Sequence, residues 1–589
     1  MRHIISVLAA SLFSLALMAV PAKPGSFHYV QPDGSVIELI LQGDEYCHWM
    51  TDVSGHLMEQ DVAGYYRRSD RDISAMREEG LRRRRMSATS SLRAYNPEMS
   101  KGERRILVVL VNFKDVKFTI NDPATAFHNL LNQEGYSANG GTGSVKDYYV
   151  ENSGGQFVPI FDVYGPVDLD NDMEYYGGND TNGNDKRPEV ALYHACKILD
   201  DTVDFSQYDS NGDELVDMIL FYYAGYNEAE RGPADSIWPH QYSVQHSSDK
   251  AAKTTKFDGV KLGNYFCTSE YKGNSGKNMC GIGSTCHEFA HSIGLPDFYD
   301  TDYGTNGEAG GLYEFSLMCS GCYNNDGRSP PYLGIVERAM LGWAEEPGYI
   351  YETRQFFLPS VTNNVGLKIA TTTSGETFYL ECRDGQGWDS YIPAGMLVYH
   401  QDMSDREVKL PRYTVTAKEL WENWMSYNYI NGNGSHPCFY IVPASDQSSL
   451  YYFGGKDRMV FPGKDNVTAY VPKDWNKEEG LATISDIAYS GGVVSFNAVS
   501  KINSDPAVRP ELHQMGYAWI SSEDGVLTLM LPEEAEVNSA TWYVDGESYA
   551  TGIDPLTPDF GQGSTHSIEV EIVYADGHVD VVECAYLTA

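Results

Sequence analysis

His287-Glu288-Phe289-Ala290-His291 sets two imidazoles four residues apart, and Ser292-Ile293-Gly294-Leu295-Pro296-Asp297 carries the run on to a carboxylate. On a helix, positions i and i+4 share a face, so His287 and His291 can hold one metal ion together. Gly294 is suited to end that helix, because a residue without a Cβ reverses the chain at little cost. Reversal can bring Asp297 back as a third ligand. Two imidazoles and one carboxylate suit zinc and leave a fourth position for water. Glu288 is then placed to take that water's proton. HExxH alone is also compatible with a surface helix that carries two histidines and no metal; the added Gly and Asp favour the metal site.

The chain around this run has 589 residues, too many for one core, so about three or four units are expected. A formal charge of −39 argues against nucleic acid as a partner, since a phosphate backbone needs a basic one. The same acidity fits a solvated, exported protein and fits bound calcium. Arg2 and His3, the apolar residues 4–20 and the small residues Val20-Pro21-Ala22 read as a signal peptide spanning 1–22 and cut near Ala22. The apolar run is short for a membrane span, and no other approaches that length, so no stable insertion is expected after its removal. Secretion follows, with the periplasm or cell surface as alternatives. The ten cysteines permit pairing outside the cell, but their connectivity is not legible. Cys319 and Cys322 are read as a disulfide or as free thiols rather than half of a second zinc site.

Residues 23–100 read as a propeptide of short strands ending in a basic linker. Arg82, Arg83, Arg84 and Arg85 are either a solvated spacer or a site where an Arg-specific protease frees the rest. Cys47 is either a thiolate that blocks the open metal position or a small buried residue. A catalytic unit is expected over 101–350. Within it, buried strands at 105–113, 157–164 and 218–223 alternate with helices at 123–131, from 144, and at 187–199, which is an α/β pattern. Asp209, Asn211, Asp213 and Asp217 have the spacing of half a calcium loop without its final Glu; turn chemistry accounts for them equally well. Residues 330–343 read as a helix packed behind the site. Residues 351–500 are strand-rich, and His400, Asp402 and His436 there read as packed side chains rather than a second metal pair. Residues 505–589 alternate with period two around Asp-Gly turns, as in an immunoglobulin-like sandwich.

Met318, in Ser316-Leu317-Met318 downstream of the metal run, adds the second mark of the metzincins, a Met-turn that floors the metal without binding it. The metzincin pattern ends in His where this chain has Asp297. The pattern with Asp resembles the immune-inhibitor-A-type secreted metallopeptidases, and the resemblance covers roughly residues 100–500. It rests on residues 287–300, on Ser316-Leu317-Met318, and on Gly143-Ser144-Val145-Lys146-Asp147-Tyr148-Tyr149. Residues 203–209, Ile237-Trp238-Pro239-His240 and Leu341-Gly342-Trp343 support it. It implies an α+β, metzincin-like peptidase domain with a strand-rich distal part. It also implies zinc on His287, His291 and Asp297, Glu288 as general base, a propeptide, and protein or peptide substrates. Gly43-Asp44-Glu45 and His48-Trp49 resemble propeptides of secreted Bacteroidetes-type proteases, and the C-terminal unit resembles PKD-like domains. The expected function is thus a secreted zinc endopeptidase made as a zymogen. The alternatives are a catalytically inactive, adhesin-like binding protein on a peptidase scaffold, or a metal-dependent amidase acting on cell-wall or mucin material. Neither the subsite preference nor the oligomeric state is legible.

Overall fold

Apolar runs with no polar face form the middle of a sheet. In the computed structural model of the chain, Gly102–Asn112 lies between Phe157–Asp168 and Met218–Tyr223, and the sheet continues through Asn264–Ser269 to the edge strand His240–Ser243. The first three pairings are parallel and the edge strand is antiparallel. Side chains alternate across the central strand. Ile106, Val108 and Leu110 share a core with Phe127, Tyr149 and Phe289, whereas Leu107, Val109 and Val111 pack with Val190, Leu192 and Cys196. Helices Pro123–Asn132, Val145–Asn152 and Gly283–Ile293 therefore cover one face, and Pro188–Leu199 the other. Ser144 caps its helix as its position suggests, in a capping box with Asp147.

The structure describes residues 20–88, 97–179, 185–411, 413–452, 454–501, 518–523, 526–531, 535–558, 565–575 and 579–587. Most of the expected signal peptide thus lies outside the described residues. Ahead of the catalytic sheet stands a five-stranded antiparallel meander, Ser26–Val30, Val36–Gly43, His48–Asp52, Leu57–Gln60 and Tyr66–Arg68. The basic stretch after it is not a solvated linker: it lies on a helix, Ile73–Ala88. Arg84, 1% exposed, is ion-paired with Asp44 and lies over the rings of Tyr46, Tyr303 and Tyr429. A second correction concerns residues 330–343, of which only Ile335–Met340 is helical. Pro330 and Pro331 cannot donate to a helix and keep the residues before them extended. The helix starts instead at Gly334, whose N–H donates to Glu337 Oε2 at 2.5 Å.

Downstream, a five-stranded sheet that includes Glu376–Arg383 and Gly395–Asp402 shares a core with the three-stranded sheet Arg354–Pro359, Val493–Ser500 and Ala482–Ser490. His400 is hydrogen-bonded with Glu376 and Tyr440, and His436 with Asp402. The C-terminal residues form two antiparallel sheets around Ile520, Leu527, Trp542, Val570 and Val582. The chain is α+β, and among the described residues no helix is long and apolar enough to cross a membrane.

Candidate metal centre

The helix Gly283–Ile293 is drawn close to its neighbours at its start: a Cβ on Gly283 would sit 1.8 Å from the Cys322 carbonyl oxygen. Its end is set by Gly294, with φ of 119°, a region that L side chains rarely adopt. The Leu295 N–H folds back onto the Ala290 carbonyl at 3.0 Å, and the Leu295 carbonyl then accepts His291 Nδ1–H at 2.7 Å. His287 Nδ1–H donates to the Leu317 carbonyl at 2.8 Å. Next to Leu317, the fully buried Met318 is held by its N–H to Ser316 Oγ and by its carbonyl to the Phe298 N–H.

A carbonyl can only accept, so each Nδ1 carries the proton and each Nε2 presents a lone pair. The two Nε2 atoms lie 3.2 Å apart, and Asp297 Oδ1 lies 3.2 and 3.4 Å from them. Asp297 Oδ1 is buried and has no hydrogen-bond partner. Two lone pairs and an anionic oxygen turned on one another repel unless a cation lies between them. The donor set, two nitrogens and one oxygen with both imidazoles oriented from behind, fits a zinc ion. Among the described residues this is the only such cluster of three His, Cys, Asp or Glu ligands.

Burial opposes the charge on Asp297; imidazoles that carry a proton on Nε2, as they can when no metal is held, outweigh it and keep the carboxyl below its usual range. Burial lowers His291. Asp297 Oδ2 accepts Asn428 Nδ2–H at 2.6 Å, and the Asp297 N–H donates to Asn428 Oδ1 at 3.1 Å. Asn428 lies 131 positions downstream in no recognisable motif, so the sequence carries no signal for it. Glu288 is fully buried, and burial pushes its carboxyl well above the usual range, with the charges of Asp297 and Glu45 adding to the shift. Its Oε2 has no hydrogen-bond partner, and its Oε1 accepts the Val20 N–H at 2.7 Å.

That last bond brings a residue of the expected leader, Val20, to Glu288. Val20 is 0% exposed and fixed in place: its carbonyl accepts Trp238 Nε1–H at 3.1 Å. The Pro21 carbonyl accepts the Tyr323 hydroxyl at 2.7 Å, and the Lys23 N–H donates to the Ala229 carbonyl at 2.9 Å. Residues 20–25 thus run across the metal-bearing cleft. Val20, Pro21 and Ala22 read in sequence as the end of a leader because they are apolar and small.

The other sequence-derived candidates lie apart from this centre. The Cys47 thiol donates to the Met76 carbonyl in its own unit and does not join the cluster. Arg82 is exposed and paired with Glu79, Arg84 is buried, and the side chains of Arg83 and Arg85 are outside the described ones. In the acidic loop, Asp209, Asn211 and Asp213 accept backbone N–H groups of residues 212–215, and Asp217 accepts from Ser210. These oxygens close turns; the three carboxylates do not converge on a common point as metal ligands do. The nine cysteines with described side chains, Cys319 and Cys322 included, are free thiols.

Residues 95–333 match the family model of the immune inhibitor A peptidase M6 catalytic domain. The chain is similar to immune inhibitor A of Bacillus thuringiensis subsp. alesti, with 26% identity over 282 residues, 41% of this chain and 40% of that protein. It is also similar to the pre-pro-metalloprotease PrtV of Vibrio cholerae serotype O1 (strain M66-2), with 24% identity over 277 residues, 41% of this chain and 29% of that protein. The chain thus spans well under half the length of these curated relatives. A crystal structure of OgpA from Akkermansia muciniphila aligns with 83% of this chain and 94% of its own at 10% identity, with a TM-score of 0.23, too low to bear on the fold. The segment that holds the two histidines, Glu288 and Asp297 is thus similar to the catalytic domain of the immune inhibitor A peptidase M6 family.

Proposed function

We propose that the chain is a secreted zinc-dependent endopeptidase, made as a zymogen, in which His287, His291 and Asp297 hold the metal and Glu288 is the general base. The observation that carries this is the convergence of two imidazole lone pairs and an unpartnered, buried Asp297 oxygen beside a buried Glu288. Zinc bound there supplies Lewis-acid polarisation of the scissile carbonyl and lowers the pKa of the attacking water. Glu288 Oε2, without a hydrogen bond, is available to take the proton of that water. Burial raises this carboxyl well above its usual range, which favours its holding a proton once taken. Glu288 Oε1 lies 2.7 Å from a backbone nitrogen, as it must to protonate a leaving amine. Its own residues 20–25 lie across this cleft, which supports a latent form.

An inactive adhesin has no need of four intact groups in this geometry. An amidase acting on cell-wall or mucin material rather than protein has no need of a cleft that receives an extended peptide. The test is Glu288→Ala, which is expected to retain one zinc per chain by atomic absorption and to lose casein cleavage by about 10²–10⁴-fold after processing. Activity kept in that variant refutes the mechanism.

A further inference from the structure

Resting on the peptidase reading, we propose that residues 20–23 lie in the cleft as the portion of a substrate after the scissile bond does. The enzyme then selects an apolar, valine-sized residue directly after that bond and a basic residue three positions further on.

The nitrogen 2.7 Å from Glu288 is the reference point. In peptide hydrolysis the group that takes the proton of water returns it to the leaving nitrogen, so the residue whose nitrogen meets Glu288 occupies the first position after the cut. The chain runs from that nitrogen toward its C-terminus, in the direction of the leaving product. Val20 fills the first position, and its 0% exposure means that its side chain is enclosed rather than lying over the surface. An enclosed site for an apolar group rejects a charged one, because burying an unpaired charge is costly.

The next contacts are sequence-independent. Trp238 Nε1–H holds the Val20 carbonyl at 3.1 Å, and the Tyr323 hydroxyl holds the Pro21 carbonyl at 2.7 Å. Both would hold the backbone of any peptide. The Ala22 N–H turns instead to Gly43 of the propeptide, so the third position carries no information about the enzyme. The fourth does. Lys23 Nζ lies 3.1 Å from Glu230 Oε2 and 3.4 Å from Asp326 Oδ1. Glu230 is 7% exposed, and the Gly273 N–H orients the same carboxylate oxygen at 3.1 Å. A fixed, largely buried carboxylate is a better cation subsite than a mobile surface one.

The test uses the processed, zinc-loaded protein and four synthetic peptides, crossing Val or Asp at the first position with Lys or Glu at the fourth. Cleavage is followed by mass spectrometry. The expected result is a preference in kcat/KM of about tenfold or more for Val over Asp and about three- to fivefold for Lys over Glu. Glu230→Gln is expected to abolish the second preference and keep the first. Trp238→Phe is expected to raise KM for all four peptides with kcat little changed, as loss of uniform backbone binding does. The hexapeptide Val-Pro-Ala-Lys-Pro-Gly, measured by calorimetry, is expected to bind and to compete with them. An enzyme that cleaves casein but shows neither preference, or does not bind the hexapeptide at this cleft, overturns the inference. An enzyme that cleaves neither casein nor any peptide overturns the peptidase reading itself.

Discussion

Asn428 belongs to no motif, yet it decides which way the third donor, the Asp297 carboxylate, faces. Its amide takes Asp297 Oδ2 at 2.6 Å and its own oxygen receives the Asp297 N–H at 3.1 Å, so Oδ1 is left pointing at the two imidazoles. His287 and His291 are oriented in the same manner, by the carbonyls of Leu317 and Leu295. All three donors are thus fixed from behind before any metal arrives, which lowers the entropy lost on binding. Asn428→Ala leaves every ligand in place but frees Asp297 to rotate. Zinc affinity is expected to fall about 10- to 100-fold, read by competition with a chromogenic chelator. Asn428→Asp sets a like charge against Asp297 Oδ2 and is expected to lower it further. Unchanged zinc retention in both variants refutes the orienting role.

At the scale of elements, the Met-turn and the helix Ile335–Met340 meet through one buried carboxyl. Glu337 Oε1 accepts the Ser316 hydroxyl at 2.6 Å, and Ser316 Oγ in turn holds the Met318 N–H at 2.9 Å. Burial pushes Glu337 up to about 7, against the hydrogen bonds of Ser316 and Gly334 that favour its charge. The folded protein therefore binds this proton more readily than the unfolded chain does. The resulting stability is full below the ordinary glutamate range near 4.5 and is lost as pH rises through about 7. The loss amounts to about 3 kcal/mol at most. Glu337→Gln is expected to flatten the fall of thermal stability across that window, measured by calorimetry at several pH values; an unaltered slope counts against it. Much at this scale was legible in advance. Apolar runs located the central strands, Ser144 its helix start, and Gly294 the reversal, because each depends on neighbours within a few residues. What depends on distant partners was not legible. The helix that carries Glu337 is shorter than its apolar pattern suggests, because Pro330 and Pro331 hold the residues before them extended. Cys47 has a ligand's chemistry, but only the fold determines that its thiol faces Met76. Nor was the meeting of Val20 with Glu288, 268 positions away, legible.

For the whole molecule, the decisive contact is the one that fixes the N-terminal strand unit, the proposed propeptide, to the unit that carries the site. Asp44 and Arg84, both in the proposed propeptide, form an ion pair out of reach of solvent, and Asp44 Oδ1 also accepts the hydroxyl of Tyr303, which follows the metal-site helix, at 2.7 Å. Tyr429, the neighbour of Asn428, lies under the same guanidinium. Burial pushes Asp44 up, and the charge of Arg84 opposes that shift. Such a pair contributes little over an apolar one, but removal of one member strands a buried charge at about 3–5 kcal/mol. Asp44→Ala and Arg84→Ala are therefore each expected to loosen the propeptide by about a hundred- to a thousandfold in its opening equilibrium. Arg84 also lies in the run expected to be cut, so a protease reaches that bond only after the residue has left its pocket, whereas Arg82 is exposed from the start. Cutting after Arg84 therefore follows unlocking, whereas cutting after Arg82 does not depend on it. Trypsin should accordingly cut the run faster in either single variant, and unprocessed protein should gain casein activity. The double variant Asp44→Asn/Arg84→Met strands no charge and should recover most of the parent's protection. Equal trypsin rates in parent and single variants would mean that the propeptide is held elsewhere, with the plug at Glu288 as the remaining anchor.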